Sequence, residues 1–473
     1  MIILYEDVLH QNRGECMESV SFSFDKNIDR LDNIFKNCDD VIKREFRTPG
    51  SDKRAVAYFV ETAVDKVTLE NLYLGVTDNK QVYTIEDAVS AVMIGDAVIV
   101  CDGKKEFTQV KSKGYPGRGV DEAENEQTMR GSREAFSDSE KSNTALIRKR
   151  IRTPELKVVE SKIGDYSNTN IAIVYVEGMA RQQVVEEIKQ KIKGIKGNVD
   201  SVMDSGVVEQ LIEKRTFSPF PQYQVTERPD IAAMAVMEGR IAVIVDNSPE
   251  ALILPVNVAS FFKTADDYYR RFEIASFTRI IRYVSAFLAM ALPAVYLAVI
   301  RYHSELLPTQ LVLAFAQARN GVPFSPFVEV IIMELAFELI REAGVRVPGP
   351  MGSTIGIVGG LIVGQAAVDA NLVSPIIVIV VALTALCSFA VPSEEFAAAF
   401  RIIKYLLVVL SALWGLYGVM LGMLAVLIHL AGMECYGFPY LAPQASGSKE
   451  DKKDFIIRYP TKHLKRRGMF FRR

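Results

Sequence analysis

Residues 353–369 read STIGIVGGLIVGQAAVD: apolar or small almost throughout, with a glutamine near the end and an aspartate at the last position. The stretch approaches the ~18–20 apolar residues that carry a helix across a ~30 Å hydrocarbon core. Tyr283–Ile300, Val373–Pro392 and Tyr405–Ala431 have the same character. Everything before residue 283 is charged and mixed, so the mean hydropathy of the whole chain is only weakly positive, at +0.14. The expected fold is an α/β two-lobed soluble N-terminal region followed by an α-helical multi-pass transmembrane bundle, of about four spans plus an amphipathic or re-entrant helix.

Within the quoted stretch, Gly356, Gly360 and Gly364 recur every fourth residue and leave one helix face without side chains. Two helices approach closely along such a face, and in lipid that contact is a main source of association. A second face carries Thr354, Val358, Leu361, Gln365 and Asp369, polar at its ends and apolar between. A ring of these helices would place Val358 and Leu361 at a constriction, with Val363 as the alternative gate if the helix is rotated. Apolar constrictions gate by dewetting, and Gln365 and Asp369 could hold a hydrated ion beyond one. The competing reading is a hairpin buried in its own bundle, with Asp369 at the membrane edge.

The chain has 473 residues and a formal net charge of −2, so no global bias points to nucleic acid. Charge is concentrated locally instead. Arg270, Arg271, Arg279 and Arg282 precede the first span, and the tail from Lys449 to Arg473 is strongly basic. Positive flanks stay cytoplasmic, so both termini are expected in the cytoplasm with an even number of crossings. The tail reads as a topology anchor, an anionic-lipid contact or a solvated extension. Met1–His10 carries Glu6 and Asp7 and lacks a basic start, so no secretory signal is recognised. Five scattered cysteines and four distant histidines form no disulfide framework or metal site, and no cofactor is expected.

The division expected along the chain is an N-terminal extension over 1–20, lobe one over 21–110, a linker over 111–150 and lobe two over 151–265. A juxtamembrane helix over 266–282, the bundle over 283–443 and a basic tail over 444–473 complete it. Apolar spacing predicts a helix over Asn27–Arg47, and β-rich runs predict strands at Ala55–Val60 and Ala97–Cys101. Asp102-Gly103 is a hairpin signal leading into Phe107–Val110. In lobe two, strands are expected at Leu156–Ser161 and Asn170–Val176, helices at Arg181–Ile192 and Val207–Arg215, and a hairpin joins Ile241–Val245 to Ala251–Leu254. Arg130, Arg133 and Glu134 either bind an anion or pair across the lobes and hold the linker down.

Thr309–Arg346 is too polar for an ordinary lipid-facing span, and Pro323 and Pro326 interrupt it. It either lies in the interface or re-enters the bundle. Glu334 and Glu338 sit one turn apart on one face, either a wet acidic edge or an acidic vestibule concentrating cations. No Walker loop, nucleophile elbow, zinc-protease motif or dinucleotide fingerprint is present, so an enzyme is not expected. A solute carrier is disfavoured because the spans show no internal repeat. A signalling scaffold without a permeation path stays open.

Long idiosyncratic segments carry a further signal: RGSREAF (Arg130–Phe136), NTALIR (Asn143–Arg148), PFPQYQVTERPD (Pro219–Asp230), DDYYRRF (Asp266–Phe272), GVPFSPFVEVIIMELAFELIR (Gly321–Arg341) and GIVGGLIVGQAAV (Gly356–Val368). With these the chain resembles the A subunit of spore germinant receptors, the GerA family, from about residue 20 to Pro443. It departs in having Ala135 for a usual glycine and Asn247 where glycine is common. The resemblance implies residence in the spore inner membrane. It also implies work with a transporter-like, nutrient-binding B subunit and a lipoprotein C subunit, and assembly as a homo-oligomer into a ligand-gated cation channel. A family relative that accompanies dipicolinate release is the alternative role.

Overall fold

The computed structural model describes residues 19–48, 52–65, 79–115, 123, 126–195, 199–345, 351–443, 451–460 and 471; of 79, 345, 351–358, 361, 451 and 453 only the backbone is described. Lobe one runs α1 (Phe24–Ile34), β1 (Val41–Arg47), β2 (Arg54–Val60), β3 (Asn79–Val82), α2 (Ile85–Ile94), β4 (Ala97–Cys101) and β5 (Phe107–Val110). Lobe two runs α3 (Glu140–Arg148), β6 (Leu156–Ile163), β7 (Thr169–Val176), α4 (Gln182–Ile195), α5 (Ser205–Ile212), β8 (Gln224–Thr226), α6 (Pro229–Met237), β9 (Ile241–Val245) and β10 (Ala251–Leu254). The sheet orders are β1-β2-β4-β5-β3 and β6-β7-β9-β10-β8. Helix, two strands, then a strand, a helix and a hairpin: one antiparallel plan is used twice.

The corresponding hairpin turns need positive φ, which the right-handed strand twist favours. Gly103 supplies it at φ 78 and Asn247 at φ 65, so the asparagine departure keeps the backbone that glycine would give. The helix expected over Asn27–Arg47 stops at Ile34, because Asn37 turns left-handed at φ 60 and Val41–Arg47 leaves as β1, paired to β2 from Val41↔Val60 to Arg47↔Arg54. The stretch 111–150, read as a linker, ends in α3, whose Leu146 and Ile147 are buried in the core of lobe two with Val174 and Ile244.

Helix α7 (Asp266–Tyr269) is followed by extended backbone at Arg270 and Arg271, and only then by α8 (Phe272–Tyr302). The expected continuous 266–282 helix is therefore an elbow. Beyond it come α9 (Thr309–Ala318), α10 (Pro326–Val345), α11 (Met351–Asp369), α12 (Pro375–Phe389) and the helical run Glu394–Ala431 (α13). Among the described residues, α8 and α13 are each long and apolar enough to cross a membrane.

Run α13 is not one rod. Phe220 of the head lies 5.7 Å from the Phe396 ring and 6.1 Å from the His429 ring, yet a straight helix would separate those two residues by ~50 Å at 1.5 Å per residue. The break is Gly415, with φ 59 and ψ −140. Beyond it the chain returns on itself, so that a Cβ on Gly418 would meet the Leu410 carbonyl and one on Gly422 would meet Leu407. Two antiparallel arms result, with both outer ends at the head and the turn against Tyr302 and His303 at the far end of α8. The single span expected at Tyr405–Ala431 is thus half of one arm, the turn and the other arm.

Candidate functional site

Three places bring the singled-out motifs together. The first is the joint between lobes. Arg148, wholly buried, donates through Nε and Nη2 to both oxygens of Asp40 at 2.8 and 2.9 Å, and through Nη1 to the Thr153 carbonyl at 2.9 Å. Main-chain bonds from Asp39 N–H to the Val158 carbonyl and from Val158 N–H to the Asn37 carbonyl run beside it. Of the residues expected to tie the lobes, Glu134 pairs instead with Lys149 and Arg150 next to it in lobe two, while Arg130 and Arg133 are exposed. The sequence motif NTALIR did contain the joint residue, but its partner is over a hundred positions away.

The second place is the elbow. Arg228 is almost wholly buried and forms a fork with Asp230 at 3.1 and 2.8 Å, while also donating to the Ser132 carbonyl at 2.6 Å and to Thr128. The Tyr269 hydroxyl donates to the same Asp230 at 2.6 Å. Gly131, at φ 107, lies against the Tyr269 ring so closely that a Cβ there would sit 2.5 Å from a ring carbon. The segments RGSREAF, PFPQYQVTERPD and DDYYRRF therefore meet at one point. Nearby, burial pushes the Glu126 carboxyl up to about 7, against hydrogen bonds from Thr226 and the Glu227 N–H. One turn further, Asp267 accepts from Arg279 at 3.1 Å and from Arg282 at 2.9 Å. These arginines, read from sequence as topology anchors, are held inside the protein by acids. Phe262 stacks on Tyr283 at 4.0 Å and Phe261 on Phe396 at 4.8 Å, so head and bundle share one aromatic seam.

The third place is the glycine helix α11. Gly360 faces Phe337 of α10, and Gly364 faces Val378 of α12 at 3.0 Å from a notional Cβ. At these two glycines the notch faces the chain's own neighbouring helices. Ile362, Val363, Gln365 and Asp369 are exposed, and Gln365 donates to Asp369 at 2.9 Å along the surface. Thr354, Gly356, Val358 and Leu361 lie outside the residues whose side chains are described.

The two glutamates expected as an acidic vestibule each face a cation. Glu334, 2% exposed, is hydrogen-bonded to Lys404, and Glu338 lies 3.5 Å from Arg401. Lys404 stands one turn beyond Arg401, inside an apolar run, which marks it as a residue with a partner, but the partner is seventy positions upstream. Truncating one member strands the other's charge, which costs about 3–5 kcal/mol for a buried pair. Lys404→Met alone should therefore lower the thermal midpoint in detergent sharply, and adding Glu334→Gln should recover most of the loss.

Contacts also set each helix's direction. Glu334 pairs with Lys404 and Glu338 with Arg401, so α10 runs antiparallel to the first arm of α13, back toward the head. Glu329 accepts from the Ser374 N–H while Arg341 lies over Phe389, so α12 runs beside α10 in the same direction. Helix α11 runs away from it, from Ile340 near Gly359 to Val378 near Gly364. Among the described residues no group of His, Cys, Asp and Glu could hold a metal ion.

Known proteins agree in kind. The family model for the Bacillus/Clostridium GerA spore germination protein matches residues 71–470. The chain is 42% identical over 371 residues to spore germination protein KA of Bacillus subtilis, covering 78% of this chain and 68% of that one. It is 35% identical to the uncharacterized membrane protein YfkQ of the same organism, covering 95% and 91%. A crystal structure of the N-terminal domain of the A subunit of the Bacillus megaterium spore germinant receptor GerK3 is 27% identical, with a TM-score of 0.39, over 50% of this chain and 97% of that one. The chain belongs to the GerA family of spore germination proteins.

Proposed function

We propose that this chain is the A subunit of a nutrient germinant receptor in the spore inner membrane, and that copies of it assemble into a ligand-gated cation channel that starts germination. The observation that carries the reading is the exposed face of α11. Gly360 and Gly364 face helices of the same subunit, while Ile362, Gln365 and Asp369 are exposed. Helical periodicity assigns Val358 and Leu361 to that same face, giving an apolar girdle followed by polar groups, as a dewetting gate requires.

In this reading α8, α10, α11, α12 and the two arms of α13 each cross the bilayer, and both chain ends lie with the head in the cytoplasm. The polar stretch 309–346 then includes a full crossing, tolerated because Glu334 and Lys404 neutralise each other inside the bundle. Nutrient binds the transporter-like B subunit, a lipoprotein C subunit completes the receptor, and this chain transmits and conducts. The ligand must favour the open assembly over the closed one, or no population shifts. The motion enters through the elbow, where three sequence motifs are pinned together.

The test is cation flux from the purified chain, with its B and C partners, in liposomes. Val358→Ala and Leu361→Ala are expected to leak without nutrient, and spores carrying them to germinate prematurely. Dormancy in both variants, and in Val363→Ala, would remove the gate from α11. Wild-type flux that follows dipicolinate rather than nutrient would assign the chain to the alternative family role.

A further inference from the structure

Residues 451–460 do not extend into solvent; they cross the elbow. Asp454 reaches three groups there: its Oδ1 accepts from Arg279 at 3.0 Å, and its Oδ2 from Lys263 at 3.1 Å and from the Tyr268 hydroxyl at 2.8 Å. Burial alone would raise the Asp454 carboxyl, but Lys263 and Arg279 overcome it and hold the group well below the usual carboxylate range. Arg279 also donates to the carbonyls of Asp454 and Phe455 at 3.2 Å. Ser276 accepts from the Arg458 N–H at 3.1 Å, while its own hydroxyl donates to the Phe272 carbonyl at 2.7 Å. The Arg458 side chain, buried, donates to the carbonyls of Asp267 and Arg270, which the break between α7 and α8 leaves without helical partners. Phe455 completes the contact against Tyr283, with ring centroids 5.7 Å apart.

These bonds serve the elbow's needs. Without the segment, Arg279 and Arg282 would share Asp267, and Lys263 would lose its Asp454 partner; buried cations left so would draw in water and loosen the turn. The segment itself is one layer thick. Ile457 is 53% exposed and Tyr459 46% exposed on its outer side, while Phe455 and Arg458 on the inner side are buried against the elbow, so its departure uncovers the elbow itself. It also follows α13 in the chain, and so links the end of the last arm to the start of the first membrane helix.

We propose that residues 451–460 are an intramolecular latch: seated on Lys263, Tyr268, Ser276 and Arg279, they hold the elbow between head and first membrane helix in the closed arrangement, and their release frees the elbow to move. The consequence for gating rests on the channel reading above; the latch itself does not.

The full-length protein in detergent tests it. Asp454→Asn and Asp454→Lys are expected to speed trypsin cleavage after Lys452 and Lys453, and to speed amide exchange over 266–279 by about tenfold, while β7 and β9 keep their wild-type protection. A disulfide between Ser276→Cys and Arg458→Cys, added to Asp454→Asn, should restore slow exchange at the elbow, and reduction should abolish that restoration. Exchange at 266–279 that stays at the wild-type rate in the Asp454 variants overturns the latch, whether or not the segment becomes trypsin-sensitive. Faster exchange that the disulfide does not reverse also overturns it, since the elbow would then be loosened by something other than release. A chain that conducts no ions yet shows these exchange changes would remove the channel reading and leave the latch standing.

Discussion

Gly415→Val is expected to destroy the hairpin of α13 and with it the docking of its second arm on the head. The backbone at φ 59 and ψ −140 is open to glycine and closed to β-branched residues. Holding a side-chain residue in such a region costs about 1–3 kcal/mol, and the new Cβ would also sit 3.1 Å from Tyr302 and 3.2 Å from His303. Together these should exceed about 3 kcal/mol, comparable to the upper range of single-site effects. The readout is a thiol cross-link made by a short bismaleimide between Ser218→Cys and His429→Cys, whose native side chains touch, Oγ to Nε2, at 2.9 Å. It should form readily in the parent and fail in the Gly415→Val background. Equal cross-linking in both would show that the turn does not depend on this glycine.

Arg148→Ala should be the most damaging single change in the head. It leaves Asp40, 6% exposed, as a buried carboxylate without its fork. Stranding one member of a buried pair costs about 3–5 kcal/mol, which for a region of this size lowers the melting midpoint by roughly 10 °C. Asp40→Asn on top of Arg148→Ala should return part of that loss, because the stranded charge is gone. By contrast Glu134→Ala, which loses two part-buried pairs with Lys149 and Arg150 at the surface of lobe two, should stay within about 1 kcal/mol. The reverse ranking, measured by thermal unfolding of the full chain in detergent, would move the lobe joint from Arg148 to the 130–134 segment.

Most strands and hairpins were legible in the residues, because turn chemistry marks them locally. Asp102-Gly103 and Asn247 sit where the structure needs positive φ, and the runs beside them are the strands. The helix that was read through to Arg47 shows the limit of periodicity. Val41 and Ile42 fit a helical face as well as a strand, and only the left-handed Asn37 and the pairing with β2 decide. The doubled plan of the head was illegible, since it lies in the order of elements and not in matching residues.

In the bundle, apolarity announced the helices but not their course. Gly415 in an apolar run reads like any packing glycine, so the turn was hidden inside one apparent span. Charges were legible one at a time and their pairings were not: Arg279 with Asp454, Glu334 with Lys404 and Arg148 with Asp40 join residues 175, 70 and 108 positions apart. The motifs nonetheless pointed to the right neighbourhoods. RGSREAF, PFPQYQVTERPD and DDYYRRF converge on Arg228, Asp230 and Tyr269.

The most direct measurement is cysteine scanning of residues 353–369 in the assembled, flux-competent receptor, one position at a time, with a charged thiol reagent applied from water. If that face of α11 lines the water path, reagent at Leu361→Cys, Gln365→Cys and Asp369→Cys blocks nutrient-triggered cation flux, while cysteines at Gly360 and Gly364, against Phe337 and Val378, are protected. Reaction only with membrane-soluble reagents at the first three positions, with flux untouched, would contradict it: that face of α11 would then look onto lipid, and no water path would run along it.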